Sequence, residues 1–251
     1  MAALACSKKL TATGSRHRGA LLALSAGLLT CLGNIAYYDV LNRGAKAATV
    51  VPLTALYPLV TVLLAVLLLK ERLNWVQRAG IGLSLVAIYL FNVRQDGGFF
   101  SPWLLVALIP VTLWGVSGLL QKLATNHLSG ELSTLWFLAA FIPVAAFLLL
   151  PQRLPATLAP GAWLLVILLG FAFAFGNFAL LAAFASNGKA SVIAPLAGLY
   201  PLVSIPVAIV ALHERIGWRE GCGIALALAS VMALACETPS KAAASPASQP
   251  T

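Results

Sequence analysis

Eight stretches of mostly apolar residues, each about the 20 residues a helix needs to cross a hydrocarbon layer of about 30 Å, follow one another along this chain. They run over 19–41, 48–69, 75–93, 102–124, 131–150, 161–186, 190–212 and 218–236, with short connectors that carry the charges. A lone backbone in lipid must satisfy its own hydrogen bonds, and the runs lack the apolar and polar alternation of barrel strands, so each is expected to be helical. The fold class that follows is an all-α integral membrane protein of about eight transmembrane helices, with the lipid bilayer as its first partner.

Composition excludes the soluble alternative. Only 9% of the residues are charged and 61% are hydrophobic, against roughly 25% charged in a soluble domain, and too few polar groups exist to cover an outside. The net charge of +9 comes from Lys and Arg in short clusters between the apolar runs; without a basic stripe, no nucleic-acid partner is expected. Cys6, Cys31, Cys222 and Cys236 form no CxxC pair, so neither a disulfide framework nor a metal site is indicated, and no cofactor is expected.

With the N-terminus in the cytoplasm, ten Lys and Arg fall inside and six outside, which expects both termini cytoplasmic and a plasma (inner) membrane location. Lys8, Lys9, Arg16 and Arg18 make the whole difference. The first eighteen residues, basic and free of acids, also have the character of an organelle transit peptide, without a readable cleavage signal.

The chain repeats itself. VVPLTALYPLVTVLLAVLLLKERLNW, ending at Trp75, returns as VIAPLAGLYPLVSIPVAIVALHERIGW, ending at Trp218. The offset is a constant 143 residues: Gly33-Asn34 matches Gly176-Asn177, Pro52 matches Pro195, Leu56-Tyr57-Pro58 matches Leu199-Tyr200-Pro201, Glu71-Arg72 matches Glu214-Arg215, and Gly80 matches Gly223. The shift carries the second span onto the seventh, five spans later, so the copies cross the membrane in opposite directions. That is an inverted repeat, the plan of many secondary transporters. The same offset leaves the fourth and fifth spans without counterparts, so the expected organisation is an incomplete inverted repeat of three helices plus five. A basic segment (1–18) precedes a first unit lacking its first two helices (19–93), a complete second unit (102–236) and a polar, Pro- and Ser-rich tail (237–251) with the composition of disorder. The chain is expected to be N-terminally truncated relative to a five-plus-five design.

These residues resemble EamA-type transporters of the drug/metabolite transporter superfamily. The resemblance rests on the doubled Gly-Asn, Pro and Leu-Tyr-Pro, Glu-Arg and Gly signatures, and on Trp114-Gly115, which is similar to the family's opening-helix signature. It implies a ten-helix inverted-repeat carrier with both termini cytoplasmic and a central cavity lined partly by the family's third, fourth, eighth and ninth helices. Those are the first, second, sixth and seventh spans here.

Proline-interrupted segments at matching positions of two halves point to a transporter site, and Pro52, Pro58, Pro195 and Pro201 are such positions. Thr54, Tyr57 and Thr61 share one face of the second span, and Tyr200 and Ser204 the equivalent face of the seventh, spaced to converge on one cavity or to shape packing. Asn34 and Asn177 lie mid-span, either as glue between helices or facing a wet cavity. Trp114 either lines the cavity or packs. The candidate substrate-binding set is therefore Asn34, Thr54, Tyr57, Pro58, Trp114, Asn177, Tyr200, Pro201 and Ser204. Glu71-Arg72 and Glu214-Arg215 are expected to anchor helix ends at the interface. Asp39 is the only acid within the spans away from a boundary, so no midplane proton carrier is available. Gly221, Ala225 and Ala229 recur every four residues on the last span, suited to intramolecular packing or to a homodimer face.

The function these readings expect is alternating-access transport of small organic metabolites or drugs. The alternative is a non-transporting truncated protein or assembly partner. An enzyme is not expected, since HExxH, GxSxG and Walker A motifs are missing and His17, His127 and His213 fall at connectors or ends.

Overall fold

The computed structural model describes residues 13–91, 102–150, 160–211, 213–214 and 216–236. The residues before 13, Cys6, Lys8 and Lys9 among them, the end of the third expected span and the polar tail lie outside the described residues. Among the described residues there is no strand. The helices are α1 (Thr13–Asn42), α2 (Ala47–Thr54), α3 (Tyr57–Leu68), α4 (Trp75–Phe91), α5 (Pro102–Thr125), α6 (Gly130–Ala139), α7 (Phe141–Leu149), α8 (Pro160–Ala185), α9 (Ala190–Ala197), α10 (Pro201–Ala211) and α11 (Trp218–Ala235). Among the described residues seven spans are long and apolar enough to cross a membrane, and the eighth, Trp75–Phe91, is an apolar helix of 17 residues.

Three spans expected as continuous helices are each split in two. The cause is local: α2 ends at Thr54, α6 at Ala139 and α9 at Ala197, each four residues before a proline (Pro58, Pro143 and Pro201) that has no N–H to return to that carbonyl. Pro58 then opens α3, where a missing N–H costs nothing. Pro52, Pro110, Pro195 and Pro206 are carried inside helices.

The sequence repeat is also a repeat of backbone conformation. Lys70 and His213, 143 residues apart, both take positive φ, at 56° and 53°, and so do Gly44 and Asn187, at 85° and 66°. These left-handed residues, uncommon for side chains with a Cβ, turn the chain at equivalent points of the two units.

The two units are stitched at their closing helices. A Cβ on Gly80 of α4 would lie 3.0 Å from the Leu234 side chain of α11, and one on Gly223 of α11 would lie 3.0 Å from the Phe91 ring of α4. Leu234 is itself the repeat counterpart of Phe91, so the contact is made twice. Ser84 and Ser230 join hydroxyls across the same crossing. The small-residue row that packs is thus Gly223, Ala227 and Ser230, all buried. The Gly221, Ala225 and Ala229 row is not the one pressed onto α4: Ala225 is exposed, and among the described residues a Cβ on Gly221 would meet only Ile216, at 3.9 Å.

The remaining spans are unevenly covered. α1 packs along α5 and α6, with Gly19 against Leu128, Gly27 against Phe137 and Gly33 against Trp114. Its repeat counterpart α8 is exposed at every residue from 163 to 172 and joins the core from Phe173 onward, most deeply through Leu181 and Phe184.

Candidate functional site

A cavity of about 380 Å³ lies where α1, α3, α5, α8 and α9 meet. It collects five of the nine candidate residues: Asn34 from α1, Tyr57 from α3, Trp114 from α5, Asn177 from α8, and Tyr200 from the break between α9 and α10. Chain breaks place the two tyrosines here, because Tyr57 and Tyr200 are the residues directly before the prolines that interrupt their spans.

The tyrosines cross between the units. The Tyr57 hydroxyl donates to the Ala194 carbonyl at 3.5 Å, and the Tyr200 hydroxyl donates to the Val51 carbonyl at 3.4 Å. Val51 and Ala194 are themselves 143 residues apart, so each unit's tyrosine reaches the same point on the other unit's broken helix. Both contacts are longer than a formed O–H···O bond of about 2.5–3.0 Å. Tyr200 also lies 3.4 Å from the Thr54 hydroxyl, which itself donates to the Val50 carbonyl at 2.9 Å.

Trp114 is the hub of the aromatic wall. Its ring centroid is 5.5 Å from Tyr37 and 6.2 Å, edge-on, from Tyr57, within the range of favourable aromatic pairs. Its indole N–H donates to the Thr30 carbonyl at 3.4 Å. Gly33 makes this possible, since a Cβ there would fall 2.5 Å from the indole nitrogen.

Among the described residues neither asparagine side chain ties two helices together: Asn177 donates to the Phe173 carbonyl of its own helix at 2.9 Å, and the Asn34 side chain makes no hydrogen bond. Thr54 is fully buried behind Tyr200, while Pro58 and Pro201 are buried at the helix breaks. Thr61, on the same face as Tyr57, donates to the Gly115 carbonyl at 2.8 Å and holds α3 against α5. The Ser204 hydroxyl turns back to the Tyr200 carbonyl at 3.3 Å. These residues shape or support the walls, and only the first five line the space itself.

Sequence reasoning missed Tyr37, Tyr38, Gln121, Phe173 and Phe184, which also line the cavity. Gln121 had a usable signal: it follows Trp114 by two helical turns, on the same face of an apolar span. None of the lining residues is Asp, Glu, Lys, Arg or His, and no cluster of metal-ligating side chains occurs among the described residues. Asp39 pairs with Arg43 at 2.8 Å near the end of α1.

The sequence profile of the EamA-like transporter family matches residues 1–93 and 101–236. A stretch of 73 residues is 38% identical to an uncharacterised protein of Methanocaldococcus jannaschii, covering 29% of this chain and 53% of that protein. The chain thus spans about half the length of the curated relative it matches. One solved crystal structure superposes with a TM-score of 0.55 over 92% of this chain and 90% of its own, at 19% identity, a likeness of fold alone.

Proposed function

Since this chain belongs to the EamA-like transporter family, we propose that it carries small organic metabolites or drugs across a plasma (inner) membrane by alternating access, with both termini cytoplasmic. The cavity between the two units is its substrate site. The observation that carries this reading is the crossed pair of tyrosines: Tyr57 and Tyr200 each reach a broken helix of the opposite unit through a long hydroxyl contact. Such loosely held hydroxyls can be re-aimed at a solute, and breaking one crossing while keeping the other is a way for two inverted units to rock around a fixed site. Asn34, Trp114 and Asn177 line the site with them, and Thr54, Pro58, Pro201 and Ser204 set the position of the tyrosines.

The test is uptake of a defined mixture of amino acids, nucleosides and aromatic amides into liposomes holding only the purified chain, read by mass spectrometry. A Tyr57→Ala/Tyr200→Ala double variant that inserts normally is expected to lose the flux. Unchanged flux in that variant would remove the site, and no uptake of any solute by the unaltered chain would remove transport by the chain on its own.

A second reading, a chain active only within an assembly, is favoured by the bare face of α8. It predicts that the purified chain alone is inactive and that α8 becomes protected from lipid-phase labelling in native membranes.

A further inference from the structure

The wall of the cavity contains a glutamine whose hydrogen bonding is unfinished. Gln121 is 5% exposed, and its Nε2 donates to the Ser117 hydroxyl at 3.2 Å. Ser117 donates to the Ala26 carbonyl at 2.9 Å and also meets the Thr30 hydroxyl at 2.8 Å, and towards Gln121 it acts as acceptor. In this arrangement the amide has Oε1 turned away from Ser117, and this Oε1 is buried with no partner among the described residues. A buried acceptor left unmet is a standing cost to the fold.

A glutamine that serves packing looks different in the same molecule. Gln77, 3% exposed, donates to the Leu234 carbonyl at 3.0 Å and accepts the Asn74 backbone N–H at 3.1 Å. Both ends of its amide are used. Gln121 differs in lining a cavity, and although its Oε1 is covered in this arrangement, a turn of the amide would bring that unmet end to a donor from outside the protein.

The rest of the wall narrows what that donor belongs to. Two helical turns along α5 stands Trp114, with Tyr37 and Tyr57 against it, a surface for a flat ring. Among the described residues no charged side chain lines the space, so an ion entering from water would meet no counter-charge there. Resting on the transport reading above, we propose that the solute is an uncharged aromatic or heteroaromatic compound bearing an N–H or O–H donor, and that Gln121 Oε1 accepts that donor and sets specificity.

The experiment is equilibrium dialysis of the full chain in lipid nanodiscs against two probes, nicotinamide and N,N-dimethylnicotinamide, which share ring and carbonyl and differ in the N–H donors. The unaltered chain is expected to retain nicotinamide at least tenfold more tightly. In Gln121→Leu, or in Gln121→Met should the branched side chain not fit, the ratio falls to about one while the thermal midpoint is held or raised, because an orphaned acceptor has been removed. Equal retention of the probes, retention of neither, or a preference that survives the substitution would overturn the proposal. Liposome flux separates the two claims: uptake of other solutes without nicotinamide retention sinks the solute class alone, and Gln121-dependent retention without flux of any solute sinks transport alone.

Discussion

Glu71 accepts the backbone N–H of Ser191 at 3.0 Å, across 120 positions of chain. The same carboxylate takes the N–H of Ala190 at 3.1 Å, so it caps the start of α9. Its counterpart Glu214 does the reverse, accepting Ala47 and Ala48 at 2.8 and 2.6 Å and capping α2. A helix start leaves four N–H groups unpaired and carries a partial positive charge. Each unit therefore supplies the anion that finishes the other unit's broken helix. The left-handed turns at Lys70 and His213 bring each glutamate there directly after the preceding span ends.

Removing a cap is expected to cost about 1–2 kcal/mol. Glu214→Ala and Glu71→Ala should each lower the thermal midpoint of the detergent-solubilised chain, with Glu→Gln, which keeps an acceptor and loses the charge, falling between. Melting curves indistinguishable from the unaltered protein would show that these contacts do not hold the units together.

The two glycines of the doubled Gly-Asn motif should respond in opposite ways. A Cβ at Gly33 meets the Trp114 indole at 2.5 Å, whereas at Gly176 nothing lies within 4 Å. Gly33→Ala is expected to destabilise by about 1–3 kcal/mol through overpacking. Gly176→Ala should gain up to about 1 kcal/mol from helix propensity. The pair is read by melting, with tryptophan emission reporting the displaced indole in the first variant only.

At the turns, Lys70→Gly and His213→Gly should be neutral to stabilising by up to about 1 kcal/mol. The relief of a left-handed L-residue, about 1–2 kcal/mol, is partly offset by glycine's entropy, about 0.5–1 kcal/mol. Gly44→Ala, at φ 85° with open space around it, should lose about 1 kcal/mol by the same conformational argument. A stabilised Gly44→Ala would contradict the assigned backbone.

On the side of the molecule opposite the Glu71 cap, Lys46 and Glu220 form an ion pair at 3.0 Å, with side chains 47% and 19% exposed. Glu220 also accepts the Gly217 backbone N–H at 2.8 Å. The counterpart of Glu220 is the neutral Gln77. Lys46→Ala is expected to cost no more than about 1 kcal/mol at low salt, because so exposed a pair is screened. The difference from the unaltered chain should shrink in 1 M NaCl, and a loss that is independent of salt would point to packing by the lysine stem instead.

How far the sequence could be read is visible at particular residues. The constant 143-residue spacing of Gly80 and Gly223, and of Pro58 and Pro201, announced a doubled membrane fold, and both pairs do equivalent structural work. Glu71 and Glu214 were expected at helix ends, but the helix each one caps belongs to the other unit, and a pattern along the chain does not name a partner across it. The Gly221, Ala225 and Ala229 row had the spacing of a packing stripe, yet α11 turns its other small face, through Gly223, Ala227 and Ser230, onto α4. Spacing identifies a helix face and leaves open which face meets protein and which meets lipid.

The sequence by itself determined that the chain is helical and membrane-spanning, that it is internally doubled, and that Pro58 and Pro201 interrupt matching spans, although Pro52 and Pro195, read the same way, stay inside helices and the break before Pro143 was not foreseen. Those properties follow from local chemistry: apolar length sets a span, and a proline's missing N–H frees the carbonyl four residues back. Only the tertiary structure decided which polar side chains share a cavity, why Gln121 belongs there while Ser204 does not, and that Tyr57 and Tyr200 cross between the units. Such assignments depend on the rotation of each helix about its axis and on its neighbours, and both are set by packing between residues far apart in the chain.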